Sequence, residues 1–391
     1  MTATIPLSPI DHVFTGVGAY PLEFVFAYEG TIDPGRLESS LRRTLEAFPP
    51  AGSRLARQAE RYLLEPCAAG CEFETRVSHA TFAGAASRAE FVAPVETLEG
   101  QPLMRVRLTR TTSGSVLGVA LSHAVADGFS YFHLLASWSR VFRGEAPIAP
   151  SHERARLDPP AGCAPGSLGP ESLREASGLF LDVPRAATPR ERLSWTRRVF
   201  TRAELSALLA EAQAGCPVRL SYNDVVAAWL WREHVPSWAE AIEGTTWLSC
   251  PVDVRRLLPG FPASYFGCAV ALANASIERE RLRGASLAEL ARLVRDAVAG
   301  VDERRMARAL AALDALRERQ GLAALERLHV VHPRAGLLVT NLSRLPVREV
   351  VFDAGPPVGF DILVPAERCA VVLPAGDGLD VRVCRPVAGP P

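Results

Sequence analysis

Eight prolines (Pro147, Pro150, Pro159, Pro160, Pro165, Pro170, Pro184 and Pro189) punctuate residues 144–190, and no apolar period survives among them. Each proline fixes its backbone φ and removes a hydrogen-bond donor, so neither a long helix nor a sheet strand can run through such a stretch. A chain of 391 residues is also too long for one ordinary core. The reading is therefore two lobes, 1–160 and 191–391, joined through a Pro-rich linker at 161–190. With 48% hydrophobic residues, each lobe has enough apolar material for its own core.

Periodicity on either side of the linker gives the fold class. PLEFVFAYEG, RYLLEP, CEFETRV, LMRVRLT and SVLGVALS read as strands. Leu37, Leu41, Leu45 and Phe48 recur at helical spacing until Pro49-Pro50 stops them, and an amphipathic helix is expected over 129–142. Beyond the linker come a strand (LSWTRRVF), a helix opening at Thr201, another opening near Ser221, the strands WLSCPVDV and YFGCAVALA, and two Arg/Ala/Leu-rich helices over 285–330. Strands and helices alternating at these spacings predict an α/β or α+β protein with mixed sheets.

Several function classes are excluded or disfavoured. A formal net charge of +0 gives no general affinity for nucleic acid or anionic membrane. In the helix DERRMARALAALDALRERQ the arginines alternate with acids, as on a solvated face. All 43 basic residues are arginine, which removes lysine-based catalysis and matches a GC-rich bacterial genome. The eight cysteines offer only one close pair, Cys67 and Cys71, so a zinc site is not expected and buried thiols in a reducing cytoplasm are. MTATIPLSPIDHVF has no signal-peptide pattern, and no apolar run reaches membrane-spanning length. GxSxG, GxGxxG and P-loop sequences are absent.

One stretch calls for chemistry. In LSHAVADGFSYF an apolar strand runs into His123, three small apolar residues follow, and then Asp127-Gly128. A histidine just past a strand end projects into a cleft, and neutral imidazole accepts a proton near pH 7. Gly128 permits a sharp turn, while Asp127 caps the following helix or holds the loop. Alone, such spacing is a weak signal and favours a packed histidine with a capping aspartate over a base.

The surrounding run, GSVLGVALSHAVADGFSYFHLLASWSRVFRG, resembles the catalytic segment of the BAHD acyltransferases of the chloramphenicol-acetyltransferase-like superfamily. The resemblance extends in order to LSPIDHVF, VFAYEGTIDPGRLESSLRRTLEAFPPAGSRL, QPLMRVRLT, SYNDVVAAWLWREH and PVDVRRLLPGFPASYFG. There are departures. The family's DFGWG falls on Val351-Phe352-Asp353-Ala354-Gly355, where only Phe352 and Gly355 match, and its YFGN reads YFGC, with Cys268 last. TNLSRLP is closer to a stretch of condensation domains, whose second histidine is here Ser122.

The resemblance implies two lobes with a tunnel between them and acyl transfer from a thioester to a hydroxyl or amine of a small specialised metabolite. His123 would be the general base, with no acyl-enzyme, and Asp127 with Gly128 would shape its loop. Arg255 would pair with Asp127, Arg256 being the fallback. Thr340, Asn341 or backbone N–H groups would meet the oxyanion, and Ser221 would contact pantetheine or cap its helix together with Asp224. The donor implied is acyl-CoA, with an acyl carrier protein as the alternative and a catalytically retired binding protein as a further one. No metal, permanent cofactor, nucleic-acid or membrane partner is implied, and the expected state is a cytoplasmic monomer.

Overall fold

A computed structural model describes residues 4–84, 87–186, 189, 192–238, 244–363 and 366–386. The described residues form two compact units. One gathers those within 1–158, 260–269 and 345–365, and the other those within 159–259, 270–344 and 366–391. Chain order and unit membership thus differ, because 260–269 and 345–365 return to the first unit after the chain has entered the second.

The first unit is built on a five-stranded mixed sheet, in the order Gly359–Ile362, Leu22–Tyr28, Gly114–Leu121, Met104–Thr111 and Cys71–Val77. Its pairings are antiparallel except for the last, which is parallel. Alternation along Leu22–Tyr28 supplies both faces. Phe24 and Phe26 pack on Tyr131 and Phe132 of the Gly128–Phe142 helix. Val25 and Ala27 join Val116 and Ala120 against Phe91, Val92 and Val95. On this second face the 91–92 backbone lies so close that a Cβ on Gly118 would sit 1.9 Å from the Phe91 carbonyl oxygen. Only glycine fits there.

The Gly128–Phe142 helix is not amphipathic as expected. Every residue from Ser130 to Ser139 is buried, because the Pro34–Ala47 helix covers what would be its outer side. Trp138 Nε1 donates to Ser40 Oγ at 2.9 Å across that contact. The eroded 351–355 segment also packs here: Phe352 stacks edge-on with Trp138 and Phe142, and Arg36 pairs with Asp353 at 2.5 Å.

The second unit carries a six-stranded sheet, Val270–Glu278, Thr245–Asp253, Gly336–Asn341, Cys369–Ala375, Gly378–Pro386 and Leu193–Phe200. The two pairings made by Gly336–Asn341 are parallel and the rest antiparallel. Helices Arg202–Ala214, Tyr222–Trp238 and Leu287–Ala299 pack together beside it. The whole is a mixed α/β protein.

The Pro-rich stretch carries more structure than a linker. Arg154–Leu157 forms a 3-10 turn with Leu157 fully buried, and Pro170–Ser177 is a helix whose Leu173 is fully buried. Pro170 at the helix start, where no donor is needed, turns a breaker into an initiator. Residues 187, 188 and 190 of the stretch lie outside the described residues. Six of the eight cysteines are buried; Cys67 is exposed and Cys163 intermediate. No helix among the described residues is long and apolar enough to cross a membrane.

Candidate active site

His123 stands two residues past the Gly114–Leu121 strand, in a turn that ends at Asp127. The strand is buried along nearly its whole length, so its register fixes where the turn begins. Ser122 steadies the turn: its Oγ accepts from Ala124 N–H at 3.2 Å and pairs with Thr97 Oγ1 at 2.8 Å. Ala124, Val125 and Ala126 are completely buried, which explains their apolar character. The turn is packed from below rather than solvated.

Asp127 is the N-cap of the Gly128–Phe142 helix, one oxygen accepting from Ser130 N–H at 2.9 Å. Its other oxygen accepts from Ala269 N–H, also at 2.9 Å, and Asp127 N–H donates to the Gly267 carbonyl at 3.2 Å. Ser130 Oγ donates to that same carbonyl at 2.9 Å. One carboxylate thereby joins the histidine turn, the helix start and the 267–269 segment.

The imidazole is half-buried. Phe14 stacks on one face, and Cys268 Sγ lies 3.7 Å from Nδ1. Burial pushes the His123 pKa below its ordinary range; Asp127, the residue's own backbone carbonyl and Asp11 pull upward without reversing this. The ring is therefore neutral at pH 7 and holds one nitrogen able to accept a proton. Phe14 and Cys268 were not singled out from sequence as neighbours of His123. The only signals were LSPIDHVF, in which Phe14 closes the motif, and the cysteine at an asparagine position.

The remaining candidates sit in the second unit. Arg255 is buried and donates to Asp253 Oδ1 at 3.0 Å. Thr340 and Asn341 end the Gly336–Asn341 strand. Asn341 is locally engaged, donating to Asn223 Oδ1 at 2.9 Å and accepting from Ser343 Oγ at 2.6 Å. Ser221 and Asp224 form the reciprocal bonds of a helix cap, Ser221 N–H donating to Asp224 Oδ2 at 2.7 Å. Arg295 pairs with the same carboxylate. Ser221, Asn341 and Ser343 line a cavity of about 690 Å³ together with Arg202, Arg219 and Arg344. Among the described residues no group of three or more His, Cys, Asp or Glu is placed to hold a metal ion.

Of the other histidines, His79 is exposed, and the remaining six pack on aromatic rings or bond to the backbone. His12 is buried with Nδ1 on the Ser8 carbonyl and Nε2 accepting from Tyr62 N–H. His133 packs edge-on to Phe48.

Residues 1–386 match the model of the Transferase family. The chain is 32% identical over 375 residues to hydroxycinnamoyl-CoA:5-hydroxyanthranilate N-hydroxycinnamoyltransferase HHT1 of Avena sativa, spanning 88% of this chain and 82% of that one. It is 27% identical over 370 residues to anthranilate N-benzoyltransferase protein 1 of Dianthus caryophyllus, spanning 88% and 80% respectively. Among solved structures, that of F. graminearum TRI101 with coenzyme A and T-2 mycotoxin superposes with a TM-score of 0.79 at 16% identity, covering 98% of this chain and 95% of that one. At that identity the likeness speaks for the fold.

Proposed function

The chain belongs to the transferase family of BAHD acyltransferases, and within it we propose an enzyme that moves an acyl group from a coenzyme A thioester to the amine or hydroxyl of a small specialised metabolite. The relatives' donors and acceptors point to a hydroxycinnamoyl or benzoyl group and an anthranilate-like acceptor.

The observation that carries this reading is the neutral, Phe14-stacked His123 at the end of a buried strand. Its Nδ1 side is occupied by its own carbonyl and Cys268, which leaves Nε2 as the accepting nitrogen. Nε2 takes the proton from the acceptor N–H or O–H as that atom attacks the thioester carbonyl. The tetrahedral oxyanion needs hydrogen-bond donors. The Thr340 hydroxyl is the better side-chain candidate, because Asn341 already bonds to Asn223 and Ser343. Collapse breaks the C–S bond, and the imidazolium returns its proton to the leaving thiolate, so no acyl-enzyme forms. Asp127 and Gly128 hold the loop in this scheme, with Arg255 backing Asp127.

The donor's phosphates need cations, and without lysine these are arginines. Arg202, Arg219 and Arg344 around the Ser221 cavity are the natural group. The same reading takes the protein as a monomer, and as a bacterial, cytoplasmic enzyme on the strength of its lysine-free composition and buried thiols.

The test is incubation with benzoyl-CoA and hydroxycinnamoyl-CoA against anthranilate, 5-hydroxyanthranilate and a metabolite extract, with products read by mass spectrometry. Saturable transfer from an acyl-CoA supports the reading. Transfer only from an acylated carrier protein replaces it with the carrier-dependent alternative, and binding without transfer by any donor replaces it with a retired binding protein.

A further inference from the structure

Two charged side chains buried in the first unit take no part in the scheme above. Asp11 is completely buried, in the short Pro9–His12 helix capped by Ser8, and Arg154 is only 4% exposed. They form an ion pair. One Asp11 oxygen also accepts from Ser8 N–H at 2.9 Å, and the other from Cys268 N–H at 3.3 Å. Arg154 sends its second terminal nitrogen to the Val125 carbonyl at 3.2 Å.

These endpoints matter. Val125 is the middle residue of the His123–Asp127 turn, and Cys268 is the residue whose sulfur lies 3.7 Å from the His123 ring. The pair therefore grips the base from both sides: its own turn through Val125, and the wall opposite Nδ1 through Cys268. A guanidinium is planar with donors at fixed angles, so engaging Asp11 on one branch sets the position of the other on Val125. An ammonium has no such fork.

Stability does not explain the arrangement. A buried ion pair gains little over apolar residues of the same volume. Arg154 Nε is moreover buried with no acceptor among the described residues, a further cost. Such a device is retained for where it puts things.

We infer that Asp11 and Arg154 are positioning residues for acyl transfer, a clamp that holds the His123 turn and the 268 backbone in catalytic register. The inference rests on His123 being the base.

The experiment compares wild type with Arg154→Lys, Asp11→Asn and the double replacement Asp11→Leu/Arg154→Met, using benzoyl-CoA with anthranilate. Arg154→Lys and Asp11→Asn should each lower kcat at least tenfold, with KM for both substrates within twofold. The double replacement should regain wild-type melting temperature while kcat stays at least tenfold down. Recovery of kcat together with stability would overturn the clamp, as would unchanged kcat in Arg154→Lys. Hydrogen exchange by mass spectrometry separates this from a failure of the functional reading. Even if wild type transfers nothing, faster exchange in Arg154→Lys confined to 121–128 and 266–269 supports the clamp. Unchanged exchange there, or acceleration across the whole unit, refutes it.

Discussion

Phe14 lies nearly flat against His123, ring centroids 4.2 Å apart and planes 16° from parallel. An apolar ring in that position strips water from one face of the imidazole and disfavours its charged form, in line with the lowered pKa. Phe14 thus contributes to the burial that favours the neutral imidazole of His123 at neutral pH.

Replacing His123 by alanine should lower turnover by at least ~10²-fold, the usual loss for a general base. The half-buried ring makes no backbone bond that the fold depends on, so circular dichroism and melting should stay close to wild type. Near-full activity of His123→Ala would assign the base to another group.

The pH profile carries a sign that can be checked. The acid limb of kcat/KM should lie below about 6.5, the ordinary histidine value. Asp127 favours the imidazolium, so Asp127→Asn should move the limb to still lower pH. A shift to higher pH would contradict the electrostatic reading. His152, His234 and His332 are lowered as well, each chiefly by burial. Groups depressed in this way leave the unfolded chain binding more protons, so the stability they contribute is intact above about pH 6.5 and lost as pH falls toward the folded values. Melting temperature should drop over that window.

Asp127→Ala removes the acceptor of two buried N–H groups. Losing the cap costs about 1 kcal/mol, and stranding Ala269 N–H costs about 1–3 kcal/mol more. Chemical denaturation should show that sum. Asp127→Asn, which keeps one acceptor oxygen, should lose less. If Arg255 backs this carboxylate, Arg255→Ala should resemble Asp127→Asn in both stability and turnover.

Phe352→Ala should destabilise the protein by about 3–5 kcal/mol, the range for a buried aromatic. The ring fills the space between Trp138, Phe142 and Tyr28, and nothing small can replace it. Activity per folded molecule should be unchanged, because the segment packs against the far end of the helix that Asp127 caps.

Arg219→Ala or Arg344→Ala should raise KM for the CoA thioester about fivefold with kcat little changed, the signature of lost uniform binding. The difference from wild type should shrink as salt rises, since exposed charge pairs are screened. Equal effects on an acceptor's KM would place the cavity on the wrong substrate.

Much of the fold was legible because it is written in period. The alternation of PLEFVFAY and the helical spacing of Leu37, Leu41 and Leu45 correspond to Leu22–Tyr28 and Pro34–Ala47. Ser53–Gln58 was missed, being short and arginine-rich at the edge of a three-stranded sheet. The burial of the Gly128–Phe142 helix was misread because its serines and Trp138 look like a polar face until their bonds to other segments are seen. His123 could be picked out from local spacing and resemblance. Its surroundings could not, since Phe14, Arg154 and Cys268 converge from distant parts of the chain, and nothing local marks one arginine among 43.

The return of 260–269 to the first unit has a consequence for how the protein is made. Asp127 meets Gly267 and Ala269 only after well over half the chain has left the ribosome, and the strand Gly359–Ile362 joins its sheet later still. Such long-range pairings are slow to form because the loop between them must first be closed. A nascent or truncated chain ending in the Pro-rich stretch would carry His123 on an unfinished turn, with its aspartate lacking the backbone it binds. The turn is complete only once residues 267–269 are in place, so a fragment cut at the apparent linker should not be a working half.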